Sequence, residues 1–86
     1  MEHELKCYPS YFDAMKRGEK NFEVRRDDRG FQRGDTLQLR RYERTYGGTY
    51  TGDRLYKRIT WILSGGQLGI EPGYVVLALV DIGDPQ

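Results

Sequence analysis

Four segments of this chain alternate apolar and polar residues with a period of two, and a fifth is apolar almost throughout. A pleated strand sends successive side chains to opposite faces, so such segments can only share a core by lying side by side as a sheet. In Glu2–Cys7 the residues His3, Leu5 and Cys7 fall on one side. Phe22 and Val24 alternate with Glu23 and Arg25, which predicts an oily inner face and a charged outer one. Thr36–Tyr42 turns Leu37 and Leu39 inward and Gln38, Arg40 and Tyr42 outward. Arg54–Leu63 is the longest candidate, with Leu55, Ile59, Trp61 and Leu63 on one face, Lys57 interrupting, and Tyr56, Arg58, Thr60 and Ile62 on the other. Tyr74–Ile82 is apolar enough to be a central strand buried on both sides. The expected core is Phe22, Val24, Leu37, Leu39, Ile59, Trp61, Val75, Leu77 and Leu79.

Only Pro9–Arg17 has helical spacing. Tyr8, Phe12 and Met15 form a stripe that Tyr11 and Ala14 widen, and Pro9 suits the first helical position. Lys16 and Arg17 suit the negative C-terminal end, and Gly18 sits where a helix needs a left-handed residue to stop. The order β-α-β-β-β-β, five strands and one helix, predicts a mostly β α+β fold. A small closed or nearly closed barrel hides its strand edges and accommodates this order. With 86 residues and no linker, low-complexity tract or repeat, residues 1–86 read as a single domain.

The connections are punctuated by charge and glycine. Arg26–Gly30 is a charged loop that Phe31 pins to the core, and Arg33–Gly34–Asp35 is a turn. Glu43–Asp53 holds Tyr46, Tyr50 and three glycines, the pattern of a hairpin connection with a mobile tip. Glu71–Pro72–Gly73 is a turn before the last strand, and Gly83–Gln86 is expected to fray.

Composition narrows the chemistry. His3 is the only histidine and Cys7 the only cysteine, so no internal disulfide, histidine-based metal site or catalytic triad can be assembled. His3 reads as a strand-end residue and Cys7 as a small buried hydrophobe. No long apolar run crosses a membrane, and the N-terminus has no signal pattern, so a cytoplasmic protein is expected. The net charge of +1 is unevenly spread. Lys16–Arg58 carries thirteen of the fourteen Lys and Arg against seven acids, a local excess of +6. Such a basic middle suits phosphate, and tyrosines beside Arg44 and Arg54 suit either base stacking or cross-strand packing.

The spacing G-x-K-x-x-E-x-R, here Gly18, Lys20, Glu23 and Arg25, resembles the signature of ASCH domains in the PUA-like superfamily. His3-Glu4-Leu5-Lys6, Phe31-Gln32-Arg33-Gly34-Asp35, Tyr50-Thr51-Gly52 and Gly73-Tyr74-Val75-Val76-Leu77 also fit, in order over nearly the whole chain. Together they look like a small ASCH-related family of phage and bacterial proteins catalogued as a domain of unknown function. The resemblance implies a PUA-like barrel whose open end the helix covers.

Three functional expectations follow. The first is a module that binds RNA or a nucleotide without catalysis. Its ligand would be gripped by Gly18, Lys20, Glu23, Arg25 and Arg26, with Arg40, Tyr42, Tyr50 and Arg54 contributing. The second is a small amidohydrolase of a modified nucleoside, because some ASCH proteins remove the acyl group of N4-acetylcytidine with a Lys, a Thr and a Glu. The lysine maps onto Lys20, but the threonine position holds Glu23, which exchanges a hydroxyl for a carboxylate; Glu71 is the nearest analogue of the glutamate. Lys20 would then be the base, Glu23 or Glu71 would orient water, and no metal or other cofactor is needed. Thr60 and Ser64 are the hydroxyls available to replace the missing one. In the third, Lys20, Glu23 and Arg25 form a structural ion-pair network on a protein-interaction or accessory domain. A monomer is favoured in each case.

Overall fold

The structure, a computed structural model, describes residues 1–83. The expected fraying beyond Gly83 lies outside the described residues. Five strands and one α-helix follow in the order β1 (Glu2–Cys7), α1 (Pro9–Lys16), β2 (Phe22–Arg26), β3 (Thr36–Glu43), β4 (Thr49–Ser64) and β5 (Tyr74–Asp81). A single 3-10 turn, Thr45–Gly47, joins β3 to β4. The strands form one sheet in the order β1-β3-β4-β5-β2, strongly curled into a half-barrel with one helix after the first strand. β1 and β3 run parallel and the other pairs antiparallel.

The two edge strands, β1 and β2, flank the opening of the half-barrel and are tied by arginine side chains. Arg25 Nη2 donates to the Lys6 carbonyl at 2.6 Å, and Arg29 Nη1 to the Glu4 carbonyl at 2.7 Å. Edge carbonyls that a closed barrel would pair with backbone N–H groups are satisfied here by guanidinium. The concave face holds the core of Leu5, Cys7, Phe12, Met15, Phe31, Leu37, Leu39, Ile59, Val75, Leu77 and Leu79.

The expected core needs correction at three positions. Trp61 is 57% exposed, Val24 53% and Phe22 46%. For Trp61 the cause is a β-bulge. Ile59 lies opposite Leu79 and Trp61 opposite Ala78, so two steps of β4 match one of β5 and the phase of β4 reverses at Thr60. Ile62 takes the inward place and packs against the core. Trp61 turns outward, where the Arg33 guanidinium lies 4.8 Å from its ring. For Phe22 and Val24 the cause is register. Glu23 pairs with the fully buried Leu77, which commits Glu23 to the inner face. Phe22, Ala78 and Trp61 then form one row across the outer face, and Val24, Val76 and Leu63 a second.

Other details also differ from expectation. Tyr74–Asp81 is central in the sheet but buried on one face only, alternating between buried and half-buried residues before it opens at Val80. Lys57 does not break the inner face of β4. Its stem is buried opposite Leu37 while its ammonium reaches the Asp81 carboxylate on the neighbouring strand. Half of the expected Glu43–Asp53 connection is strand, since β4 begins at Thr49, and Tyr42 and Tyr50 pack edge-to-face across the hairpin with centroids 5.0 Å apart. His3, near the start of β1, is buried. Its Nε2–H donates to Asp35 Oδ2 at 2.8 Å, and its ring meets Phe31 at 4.8 Å. Burial pushes the Asp35 carboxyl up, but hydrogen bonds from His3, the Gln32 N–H and the N-terminal ammonium outweigh it and hold the group below the usual carboxylate range.

Candidate functional site

The site is built by the end of the helix. Phe12 and Met15 bury one face of α1, Pro9 opens it, and Arg17 caps it. Gly18, at φ 81°, takes the left-handed conformation, which costs a residue without Cβ nothing. The Gly18 N–H then reaches the Met15 carbonyl at 3.0 Å, and the Glu19 and Lys20 N–H groups share the Ala14 carbonyl at 2.9 and 3.2 Å. This turn brings Lys20 back beneath the helix and starts β2 two residues later.

Glu23 is the centre of the arrangement. It is 5% exposed, and a carboxylate at that depth needs partners. Its Oε1 accepts from Lys20 Nζ at 2.7 Å and its Oε2 from Arg25 Nε at 2.7 Å. Lys20 Nζ also donates to the Phe22 carbonyl at 2.8 Å. The ammonium lies 4.8 Å from the centroid of the Phe22 ring and 5.3 Å from that of Tyr11. Two of its three N–H groups are engaged, and one remains. Three charges therefore sum to one positive charge between two aromatic rings, with the carboxylate fixing the direction of both cations.

A cleft of about 480 Å³ opens over these groups, between the two sheet edges. Lys6, Cys7 and Tyr8 form one wall, Lys20 and the run from Phe22 to Arg25 the other, with Tyr11 of the helix between them. The volume lies in the range typical of small-molecule sites, about 300–1,000 Å³. Cys7 is the thiol in the wall. Burial, and next the Glu23 carboxylate, push its thiol up to about 11. A thiol so shifted holds almost no thiolate at neutral pH.

The structure thus brings together Gly18, Lys20, Glu23 and Arg25 of the sequence-derived candidates and distributes the rest. Arg26 points away from the cleft, its guanidinium 5.6 Å from the Tyr74 ring. Arg40, Tyr42 and Tyr50 lie on the outer face of the other half of the sheet, where Arg40 stacks on Tyr50 at 3.9 Å. Arg54 is exposed and borders a smaller cavity of about 220 Å³ beside Met15 and Lys57. Glu71 is exposed in the turn between β4 and β5, and neither it, Thr60 nor Ser64 lines the cleft. Lys20 is only 16% exposed, more enclosed than a surface cleft lysine.

Sequence reasoning did not nominate Lys6, Tyr8 or Tyr11 for the site. Tyr8 and Tyr11 share the apolar stripe of the helix, yet they are 36% and 54% exposed, which is the mark of a wall and not of a core. Among the described residues no three His, Cys, Asp or Glu side chains converge to hold a metal ion, and no helix is long and apolar enough to cross a membrane.

Residues 2–79 match the family described as a domain of unknown function, DUF3850, and the chain belongs to that family. It is also similar to the uncharacterized 12.9 kDa protein in the GpA 3' region of Escherichia phage P2, with 41% identity over 58 residues. That match covers 67% of this chain and 50% of the phage protein, so the chain spans about half the length of the relative.

Proposed function

We propose that this chain is a binding module for a nucleotide or for RNA, gripping an anionic nucleotide in the cleft over Lys20, Glu23 and Arg25. One observation carries the reading: a buried carboxylate orients two cations into a nucleotide-sized cleft walled by aromatic rings. The free donors of Lys20 and Arg25 suit a phosphate or a base carbonyl, and charge-assisted hydrogen bonds of this kind are the strong ones. The exposed Tyr11 ring offers a face on which a base can stack. The resemblance of Gly18, Lys20, Glu23 and Arg25 to the ASCH signature, which implies a PUA-like barrel, supports the same ligand class.

Binding without catalysis fits the cleft better than acyl-cytidine hydrolysis. Hydrolysis needs a nucleophile or a general base free to activate water, and Lys20 is instead ion-paired to Glu23 at 2.7 Å and bonded to the Phe22 carbonyl. Glu23 has both oxygens engaged, the Cys7 thiol is held neutral, and Glu71 lies elsewhere.

Calorimetric titration with cytidine and uridine 5′-monophosphates, cytidine and N4-acetylcytidine tests this. The monophosphates should bind more tightly than the nucleosides, and Arg25→Gln should weaken them by about tenfold or more, as loss of a charged hydrogen bond implies. N4-acetylcytidine should be recovered intact. No binding of any of the four at low salt would overturn the ligand assignment, and release of acetate would overturn the non-catalytic reading.

A further inference from the structure

Across β1, β3 and β4, starting at the wall of the cleft, three cations stand in direct register. Lys6 on β1 pairs with Arg40 on β3, which pairs with Arg54 on β4. Residues paired in this way share a face, and like charges directly opposite are destabilising. Among the described residues, one carboxylate enters the row, Glu4, whose Oε1 accepts from Arg40 Nη1 at 2.7 Å. Two tyrosines stand beside it: the Lys6 ammonium lies 4.0 Å from the Tyr42 centroid and the Arg40 guanidinium 3.9 Å from that of Tyr50. A sheet that keeps an excess of positive charge in register, interleaved with aromatic rings of which Tyr50 is 42% exposed, is arranged for a polyanion with flat groups.

From this juxtaposition we infer a second binding surface, on which Lys6, Arg40 and Arg54 hold successive phosphates of a single-stranded nucleic acid and Tyr42 and Tyr50 pack against its bases. The inference rests on the cleft reading and deepens it, from a lone nucleotide to a strand. Lys6 joins the two surfaces. Its carbonyl accepts the Arg25 guanidinium that borders the cleft, and its side chain opens the cationic row. The row crosses two strand spacings, roughly 10 Å, so a strand leaving the cleft past Lys6 meets the other two cations in turn. Electrostatic tracks with interleaved aromatics are how single strands are held without base-specific readout.

Fluorescence anisotropy with labelled oligouridylates, from one to about eight nucleotides long, tests the surface. Affinity should rise with length beyond the single nucleotide. Arg40→Gln and Arg54→Gln should each lower the slope of log affinity against log salt by up to about 0.7 for the longer oligomers, while leaving uridine monophosphate binding unchanged. Lys20→Met should weaken the monophosphate and the oligomers alike. If the monophosphate binds and length adds nothing, the second surface is overturned and the cleft reading stands. If oligomers bind with the predicted slopes but Lys20→Met has no effect, the surface stands and the cleft reading falls. Polyglutamate competing as well as oligouridylate at equal charge would make the row a general anion surface and overturn the nucleic-acid assignment.

Discussion

Lys20 Nζ and Glu23 Oε1 lie 2.7 Å apart, three residues from each other in the chain, with Glu23 almost wholly buried and Lys20 at the wall of the cleft. The glycine-terminated helix makes this contact possible, because it returns the chain so that Lys20, two residues before β2, and an inward residue of β2 meet. The pair therefore serves the fold and the cleft together. Removing Glu23 leaves two enclosed cations without their carboxylate. Glu23→Ala should cost about 3 kcal/mol in urea denaturation, near the lower end of the range for broken buried pairs. Lys20→Met leaves Arg25 to hold Glu23 and should cost less, about 1–3 kcal/mol. Equal, negligible losses for both would show that the carboxylate is better hydrated than its burial indicates.

The core makes a contrasting pair. Leu77 is fully buried on β5, between β4 and β2, and Leu77→Ala should cost about 2–5 kcal/mol. Trp61, although the largest side chain in the protein, stands outside the core beyond the β4 bulge, and Trp61→Ala should cost about 1 kcal/mol or less. Thermal or urea unfolding of the two variants measures both, and a Trp61 loss as large as that of Leu77 would place the indole in the core.

The strand count, the single helix, its end at Gly18 and the inward side of β1 were legible in the sequence because local patterns determine them. The phase of β2 was not. Phe22 and Val24 alternate with charges as an inward face would, and only pairing with Leu77 across the sheet decides that Glu23 goes inside. Trp61 was misplaced for a similar reason. A bulge at Thr60 is set by the ladder with β5, and one inserted residue reverses every side chain after it. Within the site, the helix stop and the motif spacing pointed to Lys20, Glu23 and Arg25, but Lys6 and Tyr11 reach the cleft through the curl of the sheet, which no local pattern records.

Acid should unfold the protein partly through Asp35. Its carboxyl is held below the usual range in the fold by His3, the Gln32 N–H and the N-terminal ammonium, against the opposing effect of burial. A folded value below the unfolded one gives stability that is present above about pH 4 and is lost as pH falls through the folded value. Denaturation midpoints should therefore drop below pH 4 in the native protein and drop less steeply in Asp35→Asn. Parallel pH profiles for the two would remove Asp35 from the acid limb.

Alkali acts through Cys7 with the opposite sign. Its folded value, pushed up to about 11, lies above the unfolded value near 9, so the stability it contributes is complete below pH 9 and is lost as pH rises toward 11. The loss should reach about 2–3 kcal/mol, at roughly 1.4 kcal/mol per unit. Cys7→Ala should lack this component, and native Cys7 should react with a maleimide at pH 7 far more slowly than the unfolded chain. Labelling of the folded protein at the unfolded rate would contradict the burial of the thiol.

The central claim is that Lys20, Glu23 and Arg25 hold a nucleotide in the cleft between the two sheet edges. The most direct measurement is chemical-shift mapping of the folded protein titrated with uridine 5′-monophosphate at low salt. The predicted result is saturable perturbation concentrated at Cys7, Tyr11, Lys20, Glu23 and Arg25, lost in Arg25→Gln while the remaining spectrum stays that of the folded protein. Perturbations confined to other faces, or an unchanged spectrum at millimolar nucleotide, would contradict it.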